Sequence, residues 1–232
     1  MMYLTILMPC RNEEAAVGQC IDDARSFLTG YDLDGEILVV DNGSADRSAQ
    51  IAAEHGARVV AESRPGYGAA IRKGLECAEG SVIIIGDCDT TYDFANLENI
   101  YVPLAAGECD FVIGDRFAGG IENGAMSWTH RIGVKALSAL GRLVTGTNVR
   151  DFHCGLRGIT RDAVQKLNFQ TIGMDFASEM IVLAARNRLR IRQVPVPLRR
   201  CEKPRKSKLR AIPDGFRHLR ILLRHMRRSG SE

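Results

Sequence analysis

The stretch Val82–Thr91, VIIIGDCDTT, decides the fold. Four β-branched apolar residues run into Gly86, which reads as a short buried strand closed by a turn residue. Asp87 and Asp89 follow, one residue apart. Two carboxylates at the end of a buried strand are costly without a partner. In an α/β sheet, the C-terminal ends of the strands are where ligands bind. A hard divalent cation, Mg²⁺ or Mn²⁺, would neutralise such a pair and keep positions for substrate phosphates. Asp-x-Asp is also an ordinary turn sequence, so its weight comes from what surrounds it.

Outward from this stretch, strands and helices alternate. Tyr3–Pro9, Glu36–Asp41, Ala57–Glu62 and Phe111–Arg116 read as strands, and Ala15–Leu28, Arg47–His55 and Ala69–Ala78 as helices. Helical spacing recurs over residues 130–144, 162–168 and 175–187. Arg190–Leu198 is a late strand whose prolines place it at a sheet edge. The alternation predicts an α/β fold, a mostly parallel central sheet flanked by helices. No internal repeat or low-complexity segment interrupts it.

The composition is that of a globular chain: 232 residues, 45% apolar and 25% charged. No apolar run approaches the roughly 20 residues that span a bilayer, and Met1–Pro9 is too short and uncharged for a signal peptide. Seven cysteines without C-x-x-C spacing read as free thiols in a reducing, cytoplasmic setting rather than a zinc site. The net charge of +3 hides an asymmetry: Arg199–Arg228 holds twelve Lys/Arg and two acids, and the remainder is net acidic. Such an end suits phosphate, a membrane surface or nucleic acid. Residues 213–228 have amphipathic spacing, with Phe216, Leu219, Leu222, Leu223 and Met226 on one side and arginines around them. That helix either lies in a lipid interface or packs on the domain. His130, His153, His218 and His225 are too scattered for a ligand cluster. Trp128 is expected in the core rather than in an acceptor groove.

Other segments converge on the same sheet edge. The first strand runs into Pro9-Cys10-Arg11-Asn12-Glu13-Glu14, the second into Val40-Asp41-Asn42-Gly43-Ser44 with Asp46 beyond. Carboxylates and amides there suit a base edge or a ribose hydroxyl, although a plain turn with Asp46 near a helix start has the same sequence. Arg64-x-Gly66-x-Gly68 opens a helix whose N–H groups suit an anion, and is not a dinucleotide motif.

Taken together, these residues resemble family 2 glycosyltransferases of the GT-A fold, nearest the dolichol-phosphate (polyprenyl-phosphate) mannose and glucose synthases. The resemblance spans about residues 3–223 in the family's order: P-x-R-N-E-E, VVDNGSAD, RPGYGAAIRKG, GDCDTTYD, IGDRF, DFHCGLRGI, FASEMIVLA, VPVPLRR and SKLR. It implies a nucleotide held by Pro9, Arg11, Glu13, Val40 and Asn42, with Asp87-Cys88-Asp89 as the metal motif. Asp89 would be the direct ligand, and Asp87 would hold ribose or a metal-bound water. Arg11 stands where the family usually has an aromatic, Asn42 where it has a second Asp, and Thr91 where it often has Gln, so coordination leans on water or Asp93. Asp115-Arg116-Phe117 replaces Ser-Arg-Tyr/Phe and makes Arg116 a phosphate binder. Arg200 and Lys208 would neutralise the leaving diphosphate. Arg116 and Arg131 would hold an acceptor phosphate, whereas a hydroxyl acceptor would need Asp175 or Glu179 as base.

The implied activity is metal-dependent, inverting transfer of a hexose from a GDP- or UDP-linked donor to a polyprenyl or dolichyl phosphate at the cytoplasmic membrane face. The chain would bind that face peripherally or dock on an integral-membrane partner. The alternatives are a soluble acceptor, such as a secondary metabolite, and a nucleotide-sugar binding module without catalysis. The acidic pocket motifs disfavour nucleic acid. Residues 1–212 would form the transferase domain and 213–232 a basic amphipathic helix and tail.

Overall fold

The computed structural model describes residues 3–201 and 215–223. In chain order the elements are β1 (Leu4–Cys10), α1 (Val17–Gly30), β2 (Gly35–Asp41), α2 (Ser48–Glu54), β3 (Arg58–Ala61), α3 (Tyr67–Cys77), β4 (Val82–Ile85), α4 (Glu98–Ala105), β5 (Phe111–Asp115), α5 (Arg116–Gly119), α6 (Trp128–Thr145), β6 (Arg157–Thr160), α7 (Arg161–Gln165), α8 (Phe176–Arg186) and β7 (Ile191–Pro195). A further helix covers residues 215–223.

Seven strands form one mixed, mostly parallel sheet in the order β3-β2-β1-β4-β6-β5-β7. The apolar runs of β1 and β4 are buried on both faces, as inner strands of a sheet covered by helices must be. Their parallel registers align the strand ends: Cys10 pairs with Asp41 and Leu7 with Ile85, and Gly86 N–H donates to Leu7 O at 3.1 Å. The loops that carry Arg11, Asn42 and Asp87 therefore leave the sheet at one edge, as the strand pattern predicts. β7 takes the edge that its prolines suggested.

Three features differ from the sequence reading. β6 has only one large apolar residue, and runs antiparallel between β4 and β5. Its Arg157 is buried, yet donates to the carbonyls of Phe152, Cys154 and Ala177 at 2.8 Å each. The guanidinium thus satisfies backbone that the turn into β6 would otherwise leave unpaired. Trp128 is 74% exposed rather than in the core, because it begins α6 on the side away from the buried Val134, Ser138 and Gly141. Helix 215–223 packs through His218, Ile221 and Leu222, while Phe216 is 68% exposed, so the single apolar side read from its spacing is split between core and surface.

Candidate active site

The first two loops are stitched together. Asn12 N–H donates to Ser44 Oγ at 3.0 Å, Ala45 N–H to Asn12 Oδ1 at 2.7 Å, and Glu13 N–H to Ser48 Oγ at 2.7 Å. Asn12 has a left-handed φ of 53°, which Asn tolerates better than most residues. Arg11 is exposed at the tip, Glu13 is buried, Pro9 is half-buried and Val40 lies wholly inside β2.

Asn42 departs from the nucleotide-contact expectation. Its Nδ2 donates to the carbonyls of Glu62 (2.9 Å) and Arg64 (2.8 Å), and its Oδ1 accepts from Gly66 N–H (2.8 Å). The amide is therefore committed to holding the 62–66 loop on the end of β2, a job that needs two donors and that Asp could not do. At the far end of this loop Gly66 has φ +146°, and an added Cβ would lie 2.1 Å from Ile172 O, so only glycine fits. Glu62 is clamped by Arg64 through its N–H, Nε and Nη2, which holds the carboxyl down at about 2, the side-chain bonds contributing most.

The Asp-x-Asp turn sits beyond β4. Asp89 is buried, and its Oδ1 accepts from Thr91 N–H at 3.1 Å and from Thr91 Oγ1. Thr90 has a left-handed φ of 64°. Asp87 lies against Gly155, where a Cβ would come within 2.4 Å of its Oδ2. Asp87 is also hydrogen-bonded to Tyr67, whose pKa is raised well above the usual value by desolvation first and by the Asp87 charge second. Cys88 faces the other way. Its thiol is buried and donates to Pro9 O at 3.4 Å, so the side chain belongs to the core, not to a nucleotide contact. Asp93 receives Ala95 N–H (3.2 Å), Asn96 Nδ2 (2.9 Å) and an ion pair from Arg199, which commits it to the turn. Arg199 N–H also donates to Thr91 O at 2.9 Å, docking the segment after β7 on this turn.

The donor set suits a hard cation. Both groups at the turn are carboxylates, and among the described residues no cluster of three or more His, Cys, Asp or Glu side chains forms a closed cage. Two carboxylates with water and substrate phosphates filling the remaining positions is the pattern of Mg²⁺ or Mn²⁺ sites.

Arg116, expected as a phosphate binder, has one edge of its guanidinium on a buried carboxylate. It is buried, with Nε 2.6 Å from Asp151 Oδ2 and Nη2 2.8 Å from Asp151 Oδ1, and its own N–H reaches Asp151 Oδ2 at 3.3 Å. Asp151 is wholly buried and also accepts from His153 N–H at 3.2 Å. One edge of the planar fork, Nε and Nη2, is taken by a carboxylate of matching geometry. Asp115 is likewise structural: its Oδ1 caps α5 through Phe117 and Ala118 N–H.

Glu179 is also committed. It is buried on α8, where Oε1 accepts from Gln170 N–H (2.9 Å) and Oε2 from Thr171 N–H (3.0 Å) and Thr171 Oγ1 (2.7 Å). This is the geometry of a loop anchor rather than of a base poised toward substrate. Asp175, half-buried at the N-terminus of α8, lines a cleft of about 470 Å³ with Gly66, Ile172, Arg217 and Arg220. Arg131 is half-exposed on α6. Arg200 is exposed, and its N–H donates to Glu122 Oε2 at 2.8 Å. Lys208 lies outside the described residues.

The scattered histidines partly converge. His153 and His218 rings meet edge-on at 4.5 Å, and Ser178 Oγ lies 2.8 Å from His218 Nδ1 and 3.3 Å from His153 Nε2. Burial, then His218 and Arg116, push the His153 pKa well below its ordinary value. The site residues that sequence reasoning missed are Tyr67, Asp151 and Gly155. The last two lie in the quoted DFHCGLRGI segment, and Tyr67 in RPGYGAAIRKG.

This sheet edge, with its carboxylate pair after β4, is the ligand edge of a GT-A fold. The chain belongs to glycosyl transferase family 2, whose model matches residues 5–167. Among its relatives is the low-salt glycan biosynthesis hexosyltransferase Agl6 of Haloferax volcanii, 36% identical over 223 residues, covering 95% of this chain and 53% of that protein. The chain thus spans about half the length of Agl6. The dolichyl-phosphate hexose transferase of the same organism is 30% identical over 212 residues, covering 91% of this chain and 89% of that one. The crystal structure of glucosyl-3-phosphoglycerate synthase from Mycobacterium tuberculosis, in complex with Mn²⁺, UDP and glucosyl-3-phosphoglycerate, shares the fold. Its TM-score is 0.76 at 24% identity, over 97% of this chain and 80% of that one.

Proposed function

We propose that this chain transfers a hexose, with inversion, from a GDP- or UDP-linked donor to a polyprenyl or dolichyl phosphate. The observation that carries the choice of acceptor is the commitment of Glu179 to the 170–171 backbone. With that carboxylate occupied, an acceptor that brings its own anionic oxygen fits the site better than a hydroxyl needing a general base. The dolichyl-phosphate hexose transferase, which aligns along nearly its whole length, supports the same acceptor class. In this reading Asp89 and Asp87 hold Mg²⁺ or Mn²⁺, which when bound neutralises charge on the leaving diphosphate. Arg11 and Glu13 flank the nucleotide, Arg200 faces the diphosphate, and Arg131 orients the acceptor phosphate; Lys208, which lies outside the described residues, would add charge for the diphosphate. Residues 1–212 are the catalytic unit, and the reaction takes place at a membrane face. No helix among the described residues is long and apolar enough to cross a membrane.

The test is a transfer panel of UDP- and GDP-hexoses with Mg²⁺, Mn²⁺ or EDTA, with and without a short-chain polyprenyl phosphate in detergent. Metal-dependent transfer to the phosphate is expected, with Asp89→Asn inactive. Glu179→Gln keeps one acceptor oxygen and turns an NH₂ toward the other backbone N–H, which costs about 1–3 kcal/mol of stability, and leaves kcat of the folded fraction within a few fold. Transfer to a soluble hydroxyl, with a kcat loss of about 10²–10⁴ in Glu179→Gln or Asp175→Asn, would overturn the lipid-phosphate reading in favour of a soluble acceptor.

A further inference from the structure

The 18 residues of α6 include no Asp or Glu. The helix meets the protein through Val134, Ser138 and Gly141, and Gly141 lies so close to the Phe152 ring that a Cβ would sit 2.5 Å from it. Away from that side, Trp128 is 74% exposed, Ile132 49% and Leu143 80%. At about 100° per residue, positions 128, 132, 136, 139 and 143 fall within an arc of about 80°. Ala136 and Ala139 on that arc are exposed too, so the outer stripe is apolar along the whole helix. A helix packed by one side on a water-soluble domain ordinarily turns polar residues outward. Here the polar residues along one flank of the stripe are cationic: Arg131, Lys135 and Arg142.

An apolar stripe with a basic flank and no acid is complementary to a surface that is apolar inside and anionic at its rim. A tryptophan at the end of the stripe suits headgroup depth, where an indole keeps both apolar and polar contacts. We propose that α6 docks the chain on an anionic lipid surface, with Trp128, Ile132 and Leu143 at the headgroup–acyl boundary. The inference rests on the lipid-phosphate reading for its role in the reaction: Arg131, on the same helix, would be brought to headgroup level to meet the acceptor. It also moves the membrane contact from the 213–228 helix, where the sequence pattern suggested it, to α6.

Trp128 is the chain's single tryptophan, so its fluorescence reports on this face alone. The full chain is titrated with phosphatidylcholine vesicles with and without phosphatidylglycerol, and with lipids brominated along the acyl chain. A blue shift and bromine quenching are expected with the anionic vesicles, weakening as salt rises. Ile132→Glu with Leu143→Glu should lower the vesicle partition coefficient by about tenfold or more, given the apolar burial lost, while donor hydrolysis is unchanged. Emission already blue-shifted in buffer would mean that another segment or a second copy covers the stripe. Vesicle binding without quenching would place the contact elsewhere. Either result overturns the proposal. Transfer to short-chain polyprenyl phosphate in detergent tests the acceptor separately, so docking can fail while the lipid-phosphate reading stands.

Discussion

Replacing Asp151 with Asn tests whether Arg116 is a ligand-binding cation or part of the frame. The Asp151 carboxylate is wholly buried and takes Arg116 Nε, Nη2 and N–H, together with His153 N–H. Asn keeps the volume but removes the charge, and its NH₂ would point a donor at a guanidinium that has only donors. Breaking a buried ion pair from one side costs about 3–5 kcal/mol. At about 2–4 °C per kcal/mol for a chain of this size, that is a fall of about 6–20 °C in Tm. Urea unfolding should show a lower midpoint at unchanged slope. Arg116→Met with Asp151→Leu should recover much of the loss, because no lone buried charge remains, and should retain donor turnover. A cost below about 1 kcal/mol, typical of exposed pairs, would refute the reasoning. So would a stable double variant that had lost turnover, since Arg116 would then be serving phosphate.

Other variants probe the remaining parts of the site. Asn42→Asp, which cannot donate to the Glu62 and Arg64 carbonyls, should loosen the 62–66 loop and show as faster amide exchange there, with a cost of about 1–3 kcal/mol. Gly155→Ala should displace the Asp87 carboxylate and weaken Mn²⁺ affinity, read by calorimetry with the nucleoside diphosphate present, with far less effect on Tm than Asp151→Asn. Because folding holds the Glu62 carboxyl at about 2, below its unfolded value, its contribution is complete above about pH 4.5 and lost as pH falls through 2. Glu62→Gln should therefore flatten the acid limb of the stability profile over that window. In the native protein a thiol reagent should modify the half-buried Cys77 and Cys201 ahead of the five buried cysteines. Cys20 and Cys154 should be slow, since burial pushes their thiols up to about 12 and about 11.

What could be read from the chain alone was local. β1, β2 and β4 announce themselves because strands buried on both faces need unbroken apolar runs, and Asp87 and Asp89 stand out because carboxylates there are anomalous. β6 was hidden because Arg157-Gly158-Ile159-Thr160 becomes a strand through its neighbours. Gly158 leaves room for Leu104 and Ile100, and Arg157 pairs with carbonyls that no periodicity reveals. The same limit governs the site. The partner of Arg116 is 35 residues away, so a motif cation and a frame cation look alike in sequence. Glu179 looked like a base because its acidity is visible and its contacts with Gln170 and Thr171 are not. His153 and His218 looked scattered because only folding brings their rings to 4.5 Å.

The two motif arginines that folding buries point to a division of labour in the site. Arg157 fixes the carbonyls of Phe152 and Cys154, Arg116 fixes Asp151, and Tyr92 Oη accepts Gly155 N–H at 2.8 Å. Residues 151–157 thus form a rigid floor on which Asp87 stands, with no room for a side chain at Gly155. A carboxylate held this way is preorganised, which is what favours charge stabilisation without reorganisation during a reaction. But Arg116 gives its Nε and Nη2 to Asp151, and Arg157 gives each of its three nitrogens to a carbonyl, so both guanidiniums are committed first to the frame. Under the proposed function, the cations more exposed to the diphosphate and the acceptor are those outside the floor: Arg11 on the first loop, Arg131 on α6 and Arg200 after β7. On this argument, lysine at positions 116 or 157 should be read first in stability, whereas alanine at 11, 131 or 200 should be read first in the KM for donor or acceptor.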